Sequence, residues 1–327
     1  MNHVLKILSI TLCLILLHSC KKDPIPAPVL TTKDVTSINL TTAVCGGTID
    51  AASLNITSKG ICWSKNENPK TTDTKLTSST SGTSFSVTMP GLATNTTYFV
   101  RAYATNSSGT GYGDVLSFTT LTDYSGQIAN VEDVDGNIYP TIGIGTQIWM
   151  AANLATTKYN DGTPLEYITD NATWMKGRLS YSYYDNDPAY KTTYGALYNW
   201  YTIDPGSNGN KHVCPAGWHV PAEAEFQTLL DYLGPDASNK MRVTGGSIWF
   251  LDNTATNNSG FSAYPGGARN DTYGEFQFAR DDGYFWASDH GIGGSYAYYM
   301  GLSTYGADAE YLWPVGMGLS IRCLKDN

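Results

Sequence analysis

The sequence contains little charge, and its charge balance is acidic. Charged residues make up 15% of the 327 residues, and the formal net charge at pH 7 is −9. Proteins that bind nucleic acid carry a basic surface that neutralises phosphates, so we expect no nucleic-acid partner. The chain also lacks a Ser-His-Asp arrangement, a phosphate-binding loop and a dinucleotide-binding motif. These absences leave no residue that can be named as catalytic.

Histidine is equally scarce, with five in the chain. Their spacing follows no pattern of zinc ligands, so the sequence predicts no metal site. Asp133, Asp135 and Asn137 look like the start of a calcium loop, but the glutamate that an EF-hand requires is missing. We therefore expect no cofactor, and calcium at this loop is the alternative.

Long apolar runs are absent except at the N-terminus. Residues 7–17 follow Lys6 and are too few to span a bilayer, which is typical of a secretory signal peptide. The run ends in "LHSC", residues 17–20, which resembles the lipobox of bacterial lipoproteins. The resemblance implies removal of residues 1–19 and a lipid on Cys20. An ordinary signal peptide cut nearby is the alternative.

The expected setting is therefore the outer membrane of the cell envelope, where the lipid on Cys20 would be the membrane anchor. Residues 20–29 read as the lipidated cysteine and a stiff, proline-rich linker. The letters "KKD" at 21–23 resemble the surface-export signals of Bacteroidetes lipoproteins. That resemblance implies exposure at the cell surface.

Residues 30–121 predict an all-β domain. Short β-branched runs alternate with turn residues every eight to twelve positions, and about seven such strands favour a sandwich. The segment "GLATNTTYFVRAYATN", with Leu92 six residues before Tyr98, resembles the tyrosine corner of fibronectin type III domains. The resemblance implies a buried Tyr98 ring whose hydroxyl is tied to upstream backbone. We expect this domain to be a spacer or a binding platform.

Residues 122–327 differ from the first domain in composition and pattern, because they contain many aromatic residues, glycine turns and one clear helix. In order they contain "DGNIYPTIGIGTQIWMAANL", "TKYNDGTPL", "YGALYNWYTI", "CPAGWHVPAEAEF", "NNSGFSAYPGGARN" and "GLSIRCLKDN". These motifs resemble the Fibrobacter succinogenes major paralogous domain, which is abundant in exported Bacteroidetes proteins. The resemblance implies an α+β C-type lectin-like fold, related to the formylglycine-generating enzyme, with long aromatic-rich loops. It implies a fold and a setting, and no reaction.

The stretch "KHVCPAGWHVPAEAEF", residues 211–226, is either a reactive centre, a metal site or a structural corner. The apolar spacing from Phe226 to Leu233 predicts an amphipathic helix after Pro221. Glu223 and Glu225 in its first turn suit the helix dipole without any chemistry. We expect His219 to bind a strand carbonyl, which favours the structural corner. Ala222 stands where a capping Ser or Thr is usual, an absence that costs about 1 kcal/mol.

The remaining cysteines form one pair in each predicted domain, as an oxidising compartment favours. In C-type lectin-like domains the terminal strands return beside the body of the fold, so the resemblance implies a Cys214–Cys323 disulfide. Formylglycine-generating chemistry needs two reactive cysteines, and this domain has none to spare. A Cys45–Cys62 disulfide is expected in the first domain, with two buried free thiols as the alternative.

Aromatic residues in loop-like surroundings beside Asn and Asp suit the apolar and hydroxyl faces of sugars. Two alternatives remain for this surface: aromatic loops that pack on each other, and an Arg269–acid pair inside the domain. The candidate ligand contacts are Arg269, Asn270, Asp271, Trp286, Asp289, Trp174 and Trp313.

The sequence favours a non-catalytic surface lipoprotein for binding or adhesion, with a glycan or a protein as partner. The alternatives are a structural envelope component without a small ligand and an enzyme that modifies polysaccharide or protein.

Overall fold

A computed structural model provides the structure of the chain. It describes residues 25–53, 55–245, 248–250, 254–291 and 293–326. The predicted signal segment and Cys20 lie outside these residues. Contacts divide the chain into two compact units, with the boundary between Thr120 and Leu121. The protein is mostly β-sheet, and no helix in the described part of the chain has the length and apolar character that a bilayer span needs.

The first unit is a sandwich of two antiparallel sheets. Its strands are β1 Leu30–Thr36, β2 Ala43–Ile49, β3 Ser58–Ser64, β4 Thr74–Thr77, β5 Ser84–Met89, β6 Thr97–Asn106, β7 Gly109–Tyr112 and β8 Leu116–Thr119. One sheet has the order β1-β2-β5. The other has the order β4-β3-β6-β7, and β8 also pairs with β6. Alternate side chains of both sheets fill the core between them.

Tyr98 makes the contact that the tyrosine corner predicts. Its ring is buried and stacks on Phe118, and its hydroxyl accepts a hydrogen bond of 3.0 Å from the backbone N–H of Ala93. The buried phenol is therefore satisfied where the chain enters β6.

The expected Cys45–Cys62 disulfide is wrong, because both residues are buried free thiols. Cys45 belongs to the core between the sheets, whereas Ile61 and Trp63 are the core residues of β3. Since side chains alternate along a strand, Cys62 lies on the outer face of its sheet, with Sγ 3.6 Å from the carbonyl oxygen of Pro69. Burial raises the pKa of both thiols to about 11, so neither is a reactive thiolate.

The second unit contains two further sheets. Its strands are β9 Ile128–Glu132, β10 Ile138–Ile144, β11 Gln147–Met150, β12 Glu166–Tyr167, β13 Ser180–Ser182, β14 Leu197–Asn199, β15 Trp218–His219, β16 Gly266–Arg269, β17 Phe276–Ala279, β18 Gly283–His290, β19 Tyr296–Leu302, β20 Ala307–Pro314, β21 Gly318–Leu319 and β22 Leu324–Lys325. The smaller sheet has the order β15-β22-β11-β10-β9. The larger has the order β12-β13-β14-β21-β16-β18-β19-β20, and β17 pairs with β16.

The helices of this unit are short. They are α1 Asn171–Trp174, α2 Lys191–Tyr194, α3 Pro205–Asn208, α4 Glu223–Leu233 and α5 Ala237–Met241, with 3-10 turns at Tyr184–Asn186, Pro188–Tyr190 and Trp200–Thr202. The predicted apolar stripe of α4 is confirmed: Phe226, Leu229, Leu230 and Leu233 are all buried. The ring of Phe226 stacks on Trp149 at a centroid distance of 5.3 Å, which fixes α4 against the smaller sheet.

The C-terminal segment is built into the interior. Cys323 forms the predicted disulfide with Cys214, with Cα atoms 5.9 Å apart. Strand β22 follows at once and pairs with both β11 and β15. The N-terminal and C-terminal strands of the unit therefore share one sheet, and the disulfide closes a loop of 109 positions.

We expect the Cys214→Ser variant to lose about 4–5 kcal/mol of unfolding free energy, because a disulfide that closes so long a loop restricts the unfolded chain. Urea unfolding with and without reductant measures this. The reductant should lower the wild-type midpoint and leave that of Cys214→Ser unchanged. A Cys45→Ser variant is the control and should respond to reductant like wild type. Equal midpoints for reduced and oxidised wild type would contradict the prediction.

Candidate functional site

Trp286 does not meet the expectation of a ligand contact. Its side chain is fully buried in the core beside Tyr299, and its Nε1–H donates a hydrogen bond of 2.8 Å to the carbonyl oxygen of Tyr198. An indole whose N–H is satisfied inside the core has no surface to offer a ligand. The β18 register explains this, because Trp286 lies opposite Tyr299 in the interior of the sheet.

Arg269 is also fully buried, and no ion pair joins it to an acid among the described residues. Its guanidinium donates to the carbonyl oxygens of Gly274 at 2.9 Å and Thr169 at 3.1 Å. It lies over the rings of Trp174 and Phe276, at 4.5 and 4.9 Å from their centroids. Burial lowers the pKa of Arg269 to about 10. Arg269 and the buried Trp174 thus fasten the loop before α1 to the larger sheet.

Asp289 supplies the helix cap that the sequence lacks. One of its carboxylate oxygens accepts a hydrogen bond of 2.6 Å from the backbone N–H of Glu223, the first residue of α4. Glu225 reaches back in turn and accepts from the N–H of Ala222 at 2.8 Å. The two carboxylates satisfy donors that would otherwise be unpaired at the start of the helix. One carboxylate oxygen of Asp289 is therefore engaged at the start of α4.

We expect Asp289→Ala to cost about 1 kcal/mol of unfolding free energy, the usual effect of a lost N-cap. Asp289→Asn keeps an acceptor oxygen and should retain most of the stability. Chemical denaturation of the two variants beside wild type measures the difference. Equal losses in both variants would show that charge, and not the cap, is what matters.

His219 links α4 to the C-terminus. Its Nδ1 lies 2.7 Å from a carboxylate oxygen of Asp326 and its Nε2 lies 3.0 Å from one of Glu225. The expected contact with a strand carbonyl is therefore wrong. The hydrogen bond with Glu225 raises the pKa of His219. Partial burial opposes this shift, and the hydrogen bond with Asp326 adds to it. Burial opposes ionisation of Glu225, but the His219 and Ala222 hydrogen bonds outweigh it and lower the pKa of that carboxyl.

These two shifts predict how stability depends on pH. The raised His219 pKa adds stability below the ordinary pKa of 6.5, which is lost as pH rises through the folded value. The lowered Glu225 pKa adds stability above the ordinary 4.5, which is lost as pH falls through its folded value.

The difference in Tm between wild type and His219→Gln should therefore be largest between pH 4.5 and 6.5 and shrink at pH 8.5. Thermal unfolding across that range is the measurement. A difference that does not change with pH would contradict the prediction.

In the candidate calcium loop, the carboxylates of Asp133 and Asp135 are engaged by other side chains of the protein. Asp133 accepts hydrogen bonds from the hydroxyl of Tyr139 at 2.6 Å and from the side-chain amide of Asn137 at 2.7 Å. Asp135 pairs with Lys158 at 2.9 Å. Within the described ranges no cluster of three or more His, Cys, Asp or Glu side chains is arranged to hold a metal ion.

Asn270 and Asp271 lie in the turn between β16 and β17. The side-chain oxygen of Asn270 accepts from the backbone N–H groups of Thr272 and Tyr273, at 2.8 and 2.9 Å, and so shapes the turn. Asp271 and Trp174 line a surface cleft of about 430 Å³. Of the predicted ligand contacts, the structure therefore brings Asp271 and Trp174 together at one surface cleft.

Trp313 belongs to a row of stacked rings on one face of the larger sheet. It stacks on Tyr299 with centroids 4.8 Å apart, and Tyr299 stacks on Tyr311 at 5.6 Å. Phe278 continues the row beyond Trp313 at 6.3 Å. The strand register causes this, because Tyr299 of β19 lies opposite Tyr311 of β20 and alternate side chains share a face.

The open end of this row forms a cleft of about 470 Å³, which we call the tyrosine cleft after Tyr284, Tyr299, Tyr305 and Tyr311. Tyr305 is 99% exposed and Tyr311 is 47% exposed, so flat apolar ring surface is offered to solvent. Gly301 makes room for the rings: a Cβ atom there would lie 3.1 Å from the Tyr311 ring and 3.5 Å from that of Tyr299.

Two carboxylates, Asp282 and Asp308, are the charged groups that line the tyrosine cleft. The hydroxyl of Tyr284 donates a hydrogen bond of 2.8 Å to Asp282. Burial and the neighbouring Asp281 raise the pKa of Asp282 in spite of that bond. Burial, then Tyr311 and the two carboxylates, raises the pKa of Tyr299 to about 12. The cleft therefore presents aromatic faces beside hydrogen-bond acceptors and no basic group.

Trp313 is a candidate contact from the sequence and lies in the ring row, but it does not line the tyrosine cleft, and Tyr284, Tyr299, Tyr311 and Asp282 are not among the sequence candidates. The available signal was the density of tyrosine in "SYAYYMGL" and "AEYLWP". Side chains alternate between the two faces along each of these strands, so Tyr299 and Tyr311 can lie on the same face of the sheet. Which face remains open depends on strand pairing that the sequence does not display.

Comparisons with known proteins place the chain by family. The model of the Fibrobacter succinogenes major domain matches residues 142–325. No curated protein matches the chain.

Similar solved structures include fibronectin type III domains. A redesigned β-sandwich protein is 30% identical over 30% of this chain and 98% of its own, with a TM-score of 0.24. The sensor domain of an anti-sigma factor from Pseudobacteroides cellulosolvens is 18% identical over 32% of this chain and 99% of its own, with a TM-score of 0.24. The third fibronectin type III domain of a human protein is 19% identical over 31% of this chain and 88% of its own, with a TM-score of 0.24. Likenesses at these scores carry no argument about function.

Proposed function

Since the chain belongs to the Fibrobacter succinogenes major domain family, we propose that it is a non-catalytic binding protein of the cell envelope whose tyrosine cleft holds a glycan. The observation that carries this proposal is the stacked row of Tyr311, Tyr299 and Trp313 that opens into a cleft lined by carboxylates. Ring faces pack against the C–H surfaces of sugars, and carboxylate oxygens accept hydrogen bonds from sugar hydroxyls.

The finer fold assignment belongs to the same proposal. A C-type lectin-like second unit, related to the formylglycine-generating enzyme, is supported by terminal strands that share one sheet and by a disulfide beside the last strand. The disulfide also uses both cysteines of the unit, which leaves none for chemistry of the formylglycine-generating kind. A lipid on Cys20 and exposure at the cell surface are supported by the N-terminal motif alone.

A glycan-cleaving enzyme is the second candidate, because Asp282 and Asp308 both line the tyrosine cleft and the pKa of Asp282 is raised. A raised pKa is the direction of shift that a carboxylic general acid requires. Binding is favoured over cleavage because the Asp282 carboxylate is already engaged by the Tyr284 hydroxyl. Measurement of newly formed reducing ends in the binding experiment distinguishes the two candidates.

We expect Tyr311→Ala to weaken glycan binding about fivefold, since one stacked ring contributes about 1 kcal/mol. Tyr305→Ala should have a similar effect. A glycan array followed by titration calorimetry on the best ligand measures both.

Tyr273→Ala is the matched control, because Tyr273 is 67% exposed in the same unit but lies outside the cleft. It should bind like wild type. Equal binding by all three variants would place the ligand elsewhere. No glycan bound by wild type, or reducing ends formed by wild type and not by Asp282→Asn, would overturn the binding proposal.

A further inference from the structure

A lysine points into the core of the first unit. Lys59 has the same parity on β3 as Ile61 and Trp63, which are core residues. Its side chain is accordingly buried, with 9% of the residue exposed. The ammonium lies over the ring of Phe85 on the facing sheet, 5.7 Å from the centroid. A buried ammonium is costly unless an anion or several acceptors compensate it.

The protein itself supplies few groups that offset the cost of burying the Lys59 ammonium. The Lys59 Nζ donates to the carbonyl oxygen of Gly82, and no salt bridge to Lys59 occurs among the described residues. The carboxylate of Asp50, at the same end of the sandwich, instead accepts from the backbone N–H of Ala52 at 2.8 Å. An ammonium has three donors, so the carbonyl leaves capacity for a further acceptor.

Lys59 and Gly82 line a cavity of about 370 Å³ between the two sheets at this end of the sandwich. Most of the other lining residues are serine or threonine, and none is acidic. The side-chain hydroxyls of Ser58, Ser81 and Thr83 line the same cavity, and Ser81 and Thr83 are exposed at its mouth. A cation beside hydroxyl donors is the arrangement that an oxyanion requires.

We propose that this cavity is a binding site for an oxyanion group, either a free anion or the acidic group of a larger ligand such as a glycan. The anion accepts from the Lys59 ammonium and from the hydroxyls of Ser81 and Thr83. This inference does not depend on the tyrosine cleft. It makes the first unit a second binding platform in place of a plain spacer.

Calorimetric titration of the purified full chain with sulfate, phosphate and glucuronate, at matched ionic strength, tests the proposal. Wild type should bind at least one of them saturably, and Lys59→Met should raise its Kd at least about tenfold, as removal of one partner of a buried charge pair does. Lys75→Met is the matched control, because Lys75 is an exposed lysine of β4 outside the cavity. Preference for glucuronate over the inorganic anions would indicate an acidic sugar as the source.

Thermal unfolding provides a second readout. Without anion, Lys59→Met should be as stable as wild type or more stable, because it removes a buried charge without a counter-charge. With anion, the rise in Tm should be larger for wild type than for this variant. If Lys59→Met does not fold, the Ser81→Ala/Thr83→Ala variant replaces it, and its Kd should rise. No saturable binding by wild type, or unchanged Kd in the variants, would overturn the inference.

Discussion

The second unit depends on one buried cation, Arg322, in the segment that enters the interior near the C-terminus. Its guanidinium donates to the carbonyl oxygen of Met150 at 3.1 Å and to the side-chain oxygen of Asn153 at 3.2 Å. It lies over the rings of Phe261 and Phe285, at 4.4 and 5.4 Å. Burial lowers its pKa to about 9. These partners come from three separate parts of the chain, residues 150–153, Phe261 and Phe285, so one side chain joins three segments.

The residues beside Arg322 extend this constraint into both cores of the unit. Ile321 and Cys323 belong to one core, and Leu324 belongs to the other. Because the disulfide to Cys214 and the pairing of β22 hold the same segment, the two cores cannot separate without breaking covalent, polar and apolar contacts together. Arg269 repeats the arrangement with carbonyl partners and aromatic rings, and within the described ranges neither arginine forms an ion pair with a carboxylate. A planar cation with five donors suits such sites because carbonyl oxygens approach it from several sides.

The proposed glycan site lies on the larger sheet, away from these buried contacts. The carboxylates near α4, Asp289 and Glu225, serve the helix start and His219, and the buried Arg269 and Trp286 serve the core. Tyr311 of β20 and Tyr305 before it remain exposed at one end of the sheet, beside the buried ring of Tyr299. In the proposed glycan site the rings of Tyr299 and Tyr311 are already stacked on each other, which lowers the ordering cost of binding.

Several features follow from the sequence alone because they depend on local spacing. The i, i+3, i+4, i+7 pattern of α4 needs no partner to be recognised, and the tyrosine corner lies within a few residues of Tyr98. The Cys214–Cys323 pair follows from family resemblance and from the number of cysteines. Tertiary structure alone decided the rest, because the partners are distant. Asp289 caps a helix 66 positions away, the alternation of β3 turns Cys62 away from Cys45, and the pairing of β19 with β20 selects the rings that face solvent. Contacts of this kind depend on which strands meet and in which register, and neither is encoded in the local pattern of either strand.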